Sequence, residues 1–300
     1  MGIPSVFLLF PVWRQKMEKK MMWKAAACAA AVLGMALVAG CGGGDQKAAS
    51  SAASAPQGKV MQKIKQQGKI VVGTASGYPP YEFIDTKAGE KKVIGIDMEI
   101  AQKLADKLGV KLEVQDMNFQ ALLASLASGK VDIAIAGINP TDERRKTMDF
   151  SDNYMPTEQK VLIRKADADK YKTLADFDGK TIGVQKSTTQ EHLAKTEIKN
   201  AQIVALAHVP EAILELKQGK VDGVVVEGIG GKQFLVYNDD LMFADGAHFK
   251  NGTKNSAAAM QKGNEDLVKA INEVLKENTD NGNMKKWEDE YIKKAVENAQ

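Results

Sequence analysis

From residue 60 onward, apolar positions fall at two alternating spacings, and the alternation lays out the elements of a fold. The run KIVVGT at 69–74 is short, β-rich and almost continuously apolar, as expected of a buried strand. Ile100, Ala101, Leu104, Ala105 and Leu108 then recur at helical spacing, and VKLEV at 110–114 reads as a strand again. Strands alternating with helices predict an α/β fold with mainly parallel strands.

The pattern is written twice. LLASLASGKVDIAIAG (122–137) and AILELKQGKVDGVVVEG (212–228) both run from a helix through Gly-Lys-Val-Asp into an apolar strand, and GKIVVGT (68–74) and GKTIGVQ (179–185) echo each other in the same order. Generic junctions of helix, glycine stop and strand would also produce such echoes. On either account the chain holds two α/β units.

Before residue 60 the pattern changes. Lys19, Lys20 and Lys24 precede AAACAAAVLGMALVAG (25–40), an apolar run shorter than the roughly 20 residues a membrane-spanning helix needs, so it reads as a secretory signal. It ends in Val38, Ala39, Gly40 and Cys41, which resembles the bacterial lipobox, whose cysteine is acylated. The expected organisation is therefore a signal peptide with lipobox over 1–41 and a flexible Gly/Ala/Ser/Gln-rich tether over 42–59, leaving the body outside the cytoplasm and membrane-bound through lipidated Cys41 alone.

Charge and cysteine usage narrow the function. The segment up to Cys41 has five basic residues against Glu18, more than the whole chain's net +3, so the body is slightly acidic and offers no clustered basic surface for nucleic acid. Both cysteines, Cys28 and Cys41, precede the body, which excludes a disulfide or cysteine-based metal site there. His192, His208 and His248 lack metal-ligand spacing, and no nucleophile elbow, HExxH, P-loop or CxxC occurs, so neither an enzyme nor a cofactor is expected.

In open α/β sheets ligands bind beyond the carboxyl ends of the strands, which directs attention to residues 74–81, 137–144, 185–189 and 227–230. Gly137 permits close approach of backbone to a ligand, and Arg144 lies one turn into a short helix after Pro140, where a guanidinium is suited to clamp a carboxylate through two hydrogen bonds. Surface arginine is the alternative for Arg144, as a helix-capping loop acid is for Glu227. Glu227 follows the apolar run 224–226, where a buried acid needs a cation. An arginine on one unit and a glutamate on the other would hold both ends of a zwitterion. Tyr78 and Phe119 offer aromatic walls, with core packing open to Phe119 and favoured for Phe83. Ser187, Thr188 and Thr189 stand at a helix start where capping is the ordinary role, and Ser76 lies on the first loop.

The segments GTASGYPPYEF, GIDMEIAQKLADKLG, FQALLASLASGKVDIAIAG, TDERRKTMDFSDNY and KTIGVQKSTTQE, in this order, closely resemble the polar amino-acid-binding proteins of bacterial ABC importers, solute-binding family 3. The likeness spans about residues 65–295. It implies a periplasmic-binding-protein-like fold of two α/β lobes joined by a two-strand hinge, with lobe 1 at 60–156 and 254–300 and lobe 2 at 157–253, closing as a monomer on one free amino acid for delivery to an ABC transporter permease. By position it places the ligand carboxylate at Arg144, helped by Gly137, Asn139 and Thr188, the ammonium at Glu227 where the family usually has aspartate, and the ligand side chain near Tyr78, Phe119 and Gln185. Thr189 and Ser76 complete the expected binding set. Ala75 stands where members that bind basic amino acids commonly carry an acid, which points to a neutral polar or sulfur-containing ligand. A binding module for a separate sensor and a dehydratase on the same fold are the alternative readings.

Overall fold

In the computed structural model, residues 58–298 are described except Ala88; the signal segment, the lipobox with Cys41 and the tether up to residue 57 lie outside the described residues. The chain runs α1 (Lys59–Gln67), β1 (Lys69–Thr74), β2 (Phe83–Asp85), β3 (Lys92–Ile94), α2 (Ile96–Leu108), β4 (Lys111–Asp116), α3 (Phe119–Ala127), β5 (Ile133–Ala134), α4 (Asp142–Arg145) and β6 (Met148–Phe150). It continues through β7 (Met155–Arg164), β8 (Thr181–Gln185), α5 (Thr189–Glu197), β9 (Gln202–Leu206), α6 (Val209–Lys217), β10 (Gly223–Glu227), α7 (Gly228–Tyr237) and β11 (Leu241–Phe243). It ends in β12 (Thr253–Ser256), β13 (Ala259–Gln261), α8 (Glu265–Asp280) and α9 (Asn283–Asn298). Among the described residues no helix is long and apolar enough to cross a membrane.

Two sheets carry the two lobes, in orders β4-β1-β5-β13-β6 and β11-β7-β10-β8-β9. Each has three parallel strands at its heart, β4-β1-β5 and β9-β8-β10. The sheets are mainly parallel, as expected: in each, one strand, β13 or β7, runs against the rest, while β6 and β11 pair antiparallel with that strand and so run with the central strands. The cause is connectivity: β7 is itself a crossing between the lobes and β13 follows directly on the other crossing, β12, so these two strands enter their sheets against the direction of the βαβ units. Both faces of each sheet are covered, as parallel strands require. Ile70 and Val72 of β1 face one apolar cluster and Val71 the other, while Val161 and Ile163 of β7 divide from Leu162 in the same way.

The sequence echo is also a structural one. Gly129 and Gly219 both stop their helices with φ +73°. Asp132 then accepts the Val71 N–H of β1 at 2.8 Å, and Asp222 accepts the Thr181 N–H of β8 at 2.9 Å. In both halves the tetrad ends a helix and ties the next strand to the first. The lobes are joined where β7 pairs antiparallel with β12, from Met155↔Ser256 to Glu158↔Thr253. On the first-lobe side the crossings are bonded to each other by Ser151 N–H to Ala258 O and Tyr154 N–H to Ser256 O, both 2.9 Å.

Candidate functional site

The four strand ends converge on one cavity between the lobes. It is lined by Ala75, Tyr78 and Glu82 from the β1 side, Phe119, Ala136, Gly137, Asn139 and Arg144 from α3 and the β5 side, Gln185, Thr188, Thr189 and Gln190 after β8, and Val225, Val226 and Glu227 from β10. The free space is about 30 Å³, room for one or two waters, so a larger guest requires the lobes to part.

Arg144 is held by contacts from both sides of the cleft. The Thr141 hydroxyl caps α4 by accepting the Arg144 N–H at 3.2 Å, which fixes where the side chain departs. Its guanidinium donates from Nη1 to Asn139 O at 2.9 Å and from Nη2 to Ser187 O at 3.0 Å across the cleft, and lies 5.4 Å over the Phe119 ring. No carboxylate among the described residues pairs with it, and burial pulls its pKa down to about 10. Ser187 presents that carbonyl from a left-handed conformation, φ 67°, rare for a residue with a side chain, and its N–H donates to Glu191 at 2.6 Å.

Glu227 is the counterpart, with only 1% of its surface exposed. One carboxylate oxygen accepts from Asn139 Nδ2 at 3.2 Å and the other has no hydrogen-bond partner among the described residues. Burial pushes its pKa up to about 7; the Tyr81 and Thr157 hydroxyls are near enough to temper the shift without closing a bond. Asn139 connects both corners and both lobes: its carbonyl receives Arg144, its amide NH2 serves Glu227 and Asn255 O, and its side-chain oxygen accepts the Thr189 hydroxyl at 2.5 Å.

Of the residues expected from sequence, Arg144, Glu227, Tyr78, Phe119, Gly137, Asn139, Gln185, Thr188 and Thr189 all line this cavity. Ser76 does not line it: its N–H and hydroxyl bond the Asp116 carboxylate at 2.8 and 2.6 Å, which fastens the end of β1 to β4. The Thr188 hydroxyl is engaged locally, donating to Gln185 O at 2.6 Å and capping α5 at the Glu191 N–H. Phe83 joins the core as expected. Tyr78 and Phe119 are distributed differently from a simple sandwich, since Phe119 underlies Arg144 while Tyr78 stacks on Tyr81 with centroids 5.9 Å apart.

Two acids escaped the sequence reading. Glu82 lines the cavity at 1% exposure with one oxygen unpartnered among the described residues, and burial raises its pKa well above the usual range, aided by the neighbouring Asp97. Asp97, fully buried, accepts the Gly137 N–H at 2.8 Å and the Tyr154 hydroxyl at 2.9 Å, anchoring the loop that follows β5; burial outweighs those bonds and lifts its pKa to about 6. The available clue was a charged residue between Tyr81 and Phe83, two aromatic side chains of the core. Among the described residues no cluster of His, Cys, Asp or Glu has the arrangement to hold a metal.

Comparison with known proteins identifies the family. The model of bacterial extracellular solute-binding proteins, family 3, matches residues 70–294. The arginine-binding extracellular protein ArtP of Bacillus subtilis is 35% identical over 232 residues, 73% of this chain and 86% of that one. The L-cystine-binding protein TcyJ of Escherichia coli strain K12 is 29% identical, covering 76% and 85%. An amino acid ABC transporter substrate-binding protein, AbpA from Streptococcus pneumoniae, crystallised with L-arginine, superposes with a TM-score of 0.76 at 34% identity over 78% of this chain and 99% of its own. The chain belongs to the bacterial extracellular solute-binding proteins, family 3.

Proposed function

We propose that the protein captures one free amino acid between lobe 1 (60–156 and 254–300) and lobe 2 (157–253) and delivers it to an ABC importer, working outside the cytoplasm on a lipid anchor at Cys41. One observation carries the reading. Among the residues that line the cavity the only cation, Arg144, and an under-bonded acid, Glu227, come from opposite lobes. An α-carboxylate at Arg144 and an α-ammonium at Glu227 complete both corners, and those contacts exist together only when the lobes meet. A ligand with such differential contacts shifts the population toward the closed form. The relatives named for amino acids and an ABC transporter support the same class.

The side-chain class that the cavity supports best is cationic. Ala75 brings no acid to the lining, which favours a neutral polar or sulfur-containing ligand, and a relative named for L-cystine accords with that. Glu82, however, supplies an acid from another position. With a zwitterion satisfying Arg144 and Glu227, its free oxygen still lacks a partner, and a cationic side chain provides one. A relative named for arginine and another crystallised with L-arginine point the same way. A thermal-shift screen of the twenty amino acids and cystine decides the matter, because ligand bound only by the folded state raises the melting point by mass action. Arginine or lysine should give the largest shift and Glu82→Gln should abolish it selectively; dominance by cystine or a neutral amino acid returns the argument to Ala75, and no shift at all defeats amino-acid capture. Recovery of the bound amino acid unchanged by mass spectrometry separates capture from catalysis.

A further inference from the structure

Helix α7 begins Gly228, Ile229, Gly230, Gly231, with three glycines in its first turn and Glu227 as its N-cap. Each glycine weakens a helix relative to alanine, so each calls for a packing reason. Gly231 has one inside its own lobe, since a Cβ there would lie 2.8 Å from the Phe243 ring and from Val226. At Gly228 the nearest atom to an added Cβ is Glu158 O at 3.4 Å, an ordinary contact. Gly230 differs from both: its Cβ would meet Tyr78 Cζ at 2.6 Å and Tyr78 Oη at 2.9 Å, and Tyr78 belongs to the other lobe.

Tyr78 is itself held firmly. Its N–H and that of Gly77 donate to Glu82 O, its ring lies parallel to Tyr81 at 7° and 6.4 Å from Phe234, and its hydroxyl oxygen accepts the Glu227 N–H at 2.9 Å. Ile229 of the same helical turn packs against the first lobe's core cluster. The first turn of α7 is thus the second lobe's landing place for the β1 loop.

We infer that Gly230 forms a socket for the Tyr78 ring that is filled only on closure, and that the seated tyrosine positions Glu227 for the ligand by holding its backbone N–H. Tyr78 acts here as a latch between the lobes as well as a wall of the cavity. A side chain at position 230 obstructs closure without disturbing either lobe, because the three atoms nearest an added Cβ all belong to Tyr78 across the cleft. The inference rests on the two-lobe capture reading above.

The test is Gly230→Ala, with L-arginine and L-cystine as probes. The ligand-free melting point should stay the same or rise, affinity for the bound probe should fall at least tenfold, and ligand-linked protection from hydrogen exchange over residues 224–231 should disappear. In a Tyr78→Ser background the same substitution should change affinity less than twofold, since nothing is left to obstruct. Wild-type affinity in Gly230→Ala, or an equal loss in both backgrounds, overturns the socket. Should wild type bind neither probe nor any other amino acid, capture itself fails; the socket is then read from the ligand-free Glu227 amide, which must exchange several-fold faster in Gly230→Ala, equal rates overturning it.

Discussion

The two charged corners of the cavity are built on opposite terms. Arg144 has two backbone carbonyls and an aromatic ring around it, so the protein itself engages two of its five N–H donors and covers one face. Glu227 has one amide bond and one empty oxygen, in surroundings dry enough to raise its pKa to about 7. The difference teaches which corner responds to ligand. A cation that is solvated by carbonyls changes little when a carboxylate arrives, whereas the acid gains its counter-charge and its missing bond at once.

Substitution of the acid should show the largest effect. Glu227→Gln should weaken ligand binding at pH 8 by about 3 kcal/mol, roughly 100-fold by calorimetry, as expected for one partner of a buried charged pair. The same change should raise ligand-free stability at that pH by about 2–3 kcal/mol in urea titrations, because it removes an ionisation that folding disfavours. Arg144→Lys should lose about 2 kcal/mol of binding, near 30-fold, and should lower ligand-free stability by about 1 kcal/mol, since a single ammonium cannot reproduce both carbonyl bonds. Opposite signs on ligand-free stability express the contrast between the corners; equal signs would erase it.

Acidity probes the same contrast more gently. With Glu227 titrating at about 7, affinity for an amino acid should fall about tenfold from pH 8 to pH 6, with proton release on binding detected as a dependence on buffer ionisation heat. Ligand-free stability should run the other way. The folded-state pKa of this acid is raised from 4.5 to about 7, and that of Asp97 from 3.8 to about 6, so their contribution is complete below the unfolded values and declines as pH rises through the folded ones. Melting points should therefore drop between pH 5 and pH 8, and Glu227→Gln should flatten that slope. The smallest effect belongs to Ser76→Ala, which should leave affinity within twofold while costing about 1 kcal/mol of stability through the lost Asp116 bond.

Arg144 and Glu227 were legible in the sequence because their placement depends on local facts: a strand runs out, a glycine or a cap follows, and the next side chain faces the strand ends. The Gly-Lys-Val-Asp echo was legible for the same reason, since helix stop and strand tie lie within four residues. Glu82 and Asp97 were not, because each acquires its role from a loop distant in sequence. Asp97 matters through the Gly137 N–H, 40 residues away, and no periodicity at residue 97 announces that bond. Ser76 erred in the other direction: a hydroxyl beyond a strand end looks available until Asp116 on the neighbouring strand claims it. The antiparallel entry of β7 and β13 likewise follows from where the chain crosses between lobes, which apolar spacing within one element does not encode.

Strand β7 pairs with β12 over its first four residues and then, unbroken, with β10 and β11 in the second sheet. A lever fused to its load in this way has no slack on that side, so swinging the second lobe must concentrate torsion in the short links to the first sheet, residues 151–154 between β6 and β7 and residues 257–258 between β12 and β13. Stiffening or loosening those few residues should retune how often the jaws open while leaving every cavity contact untouched.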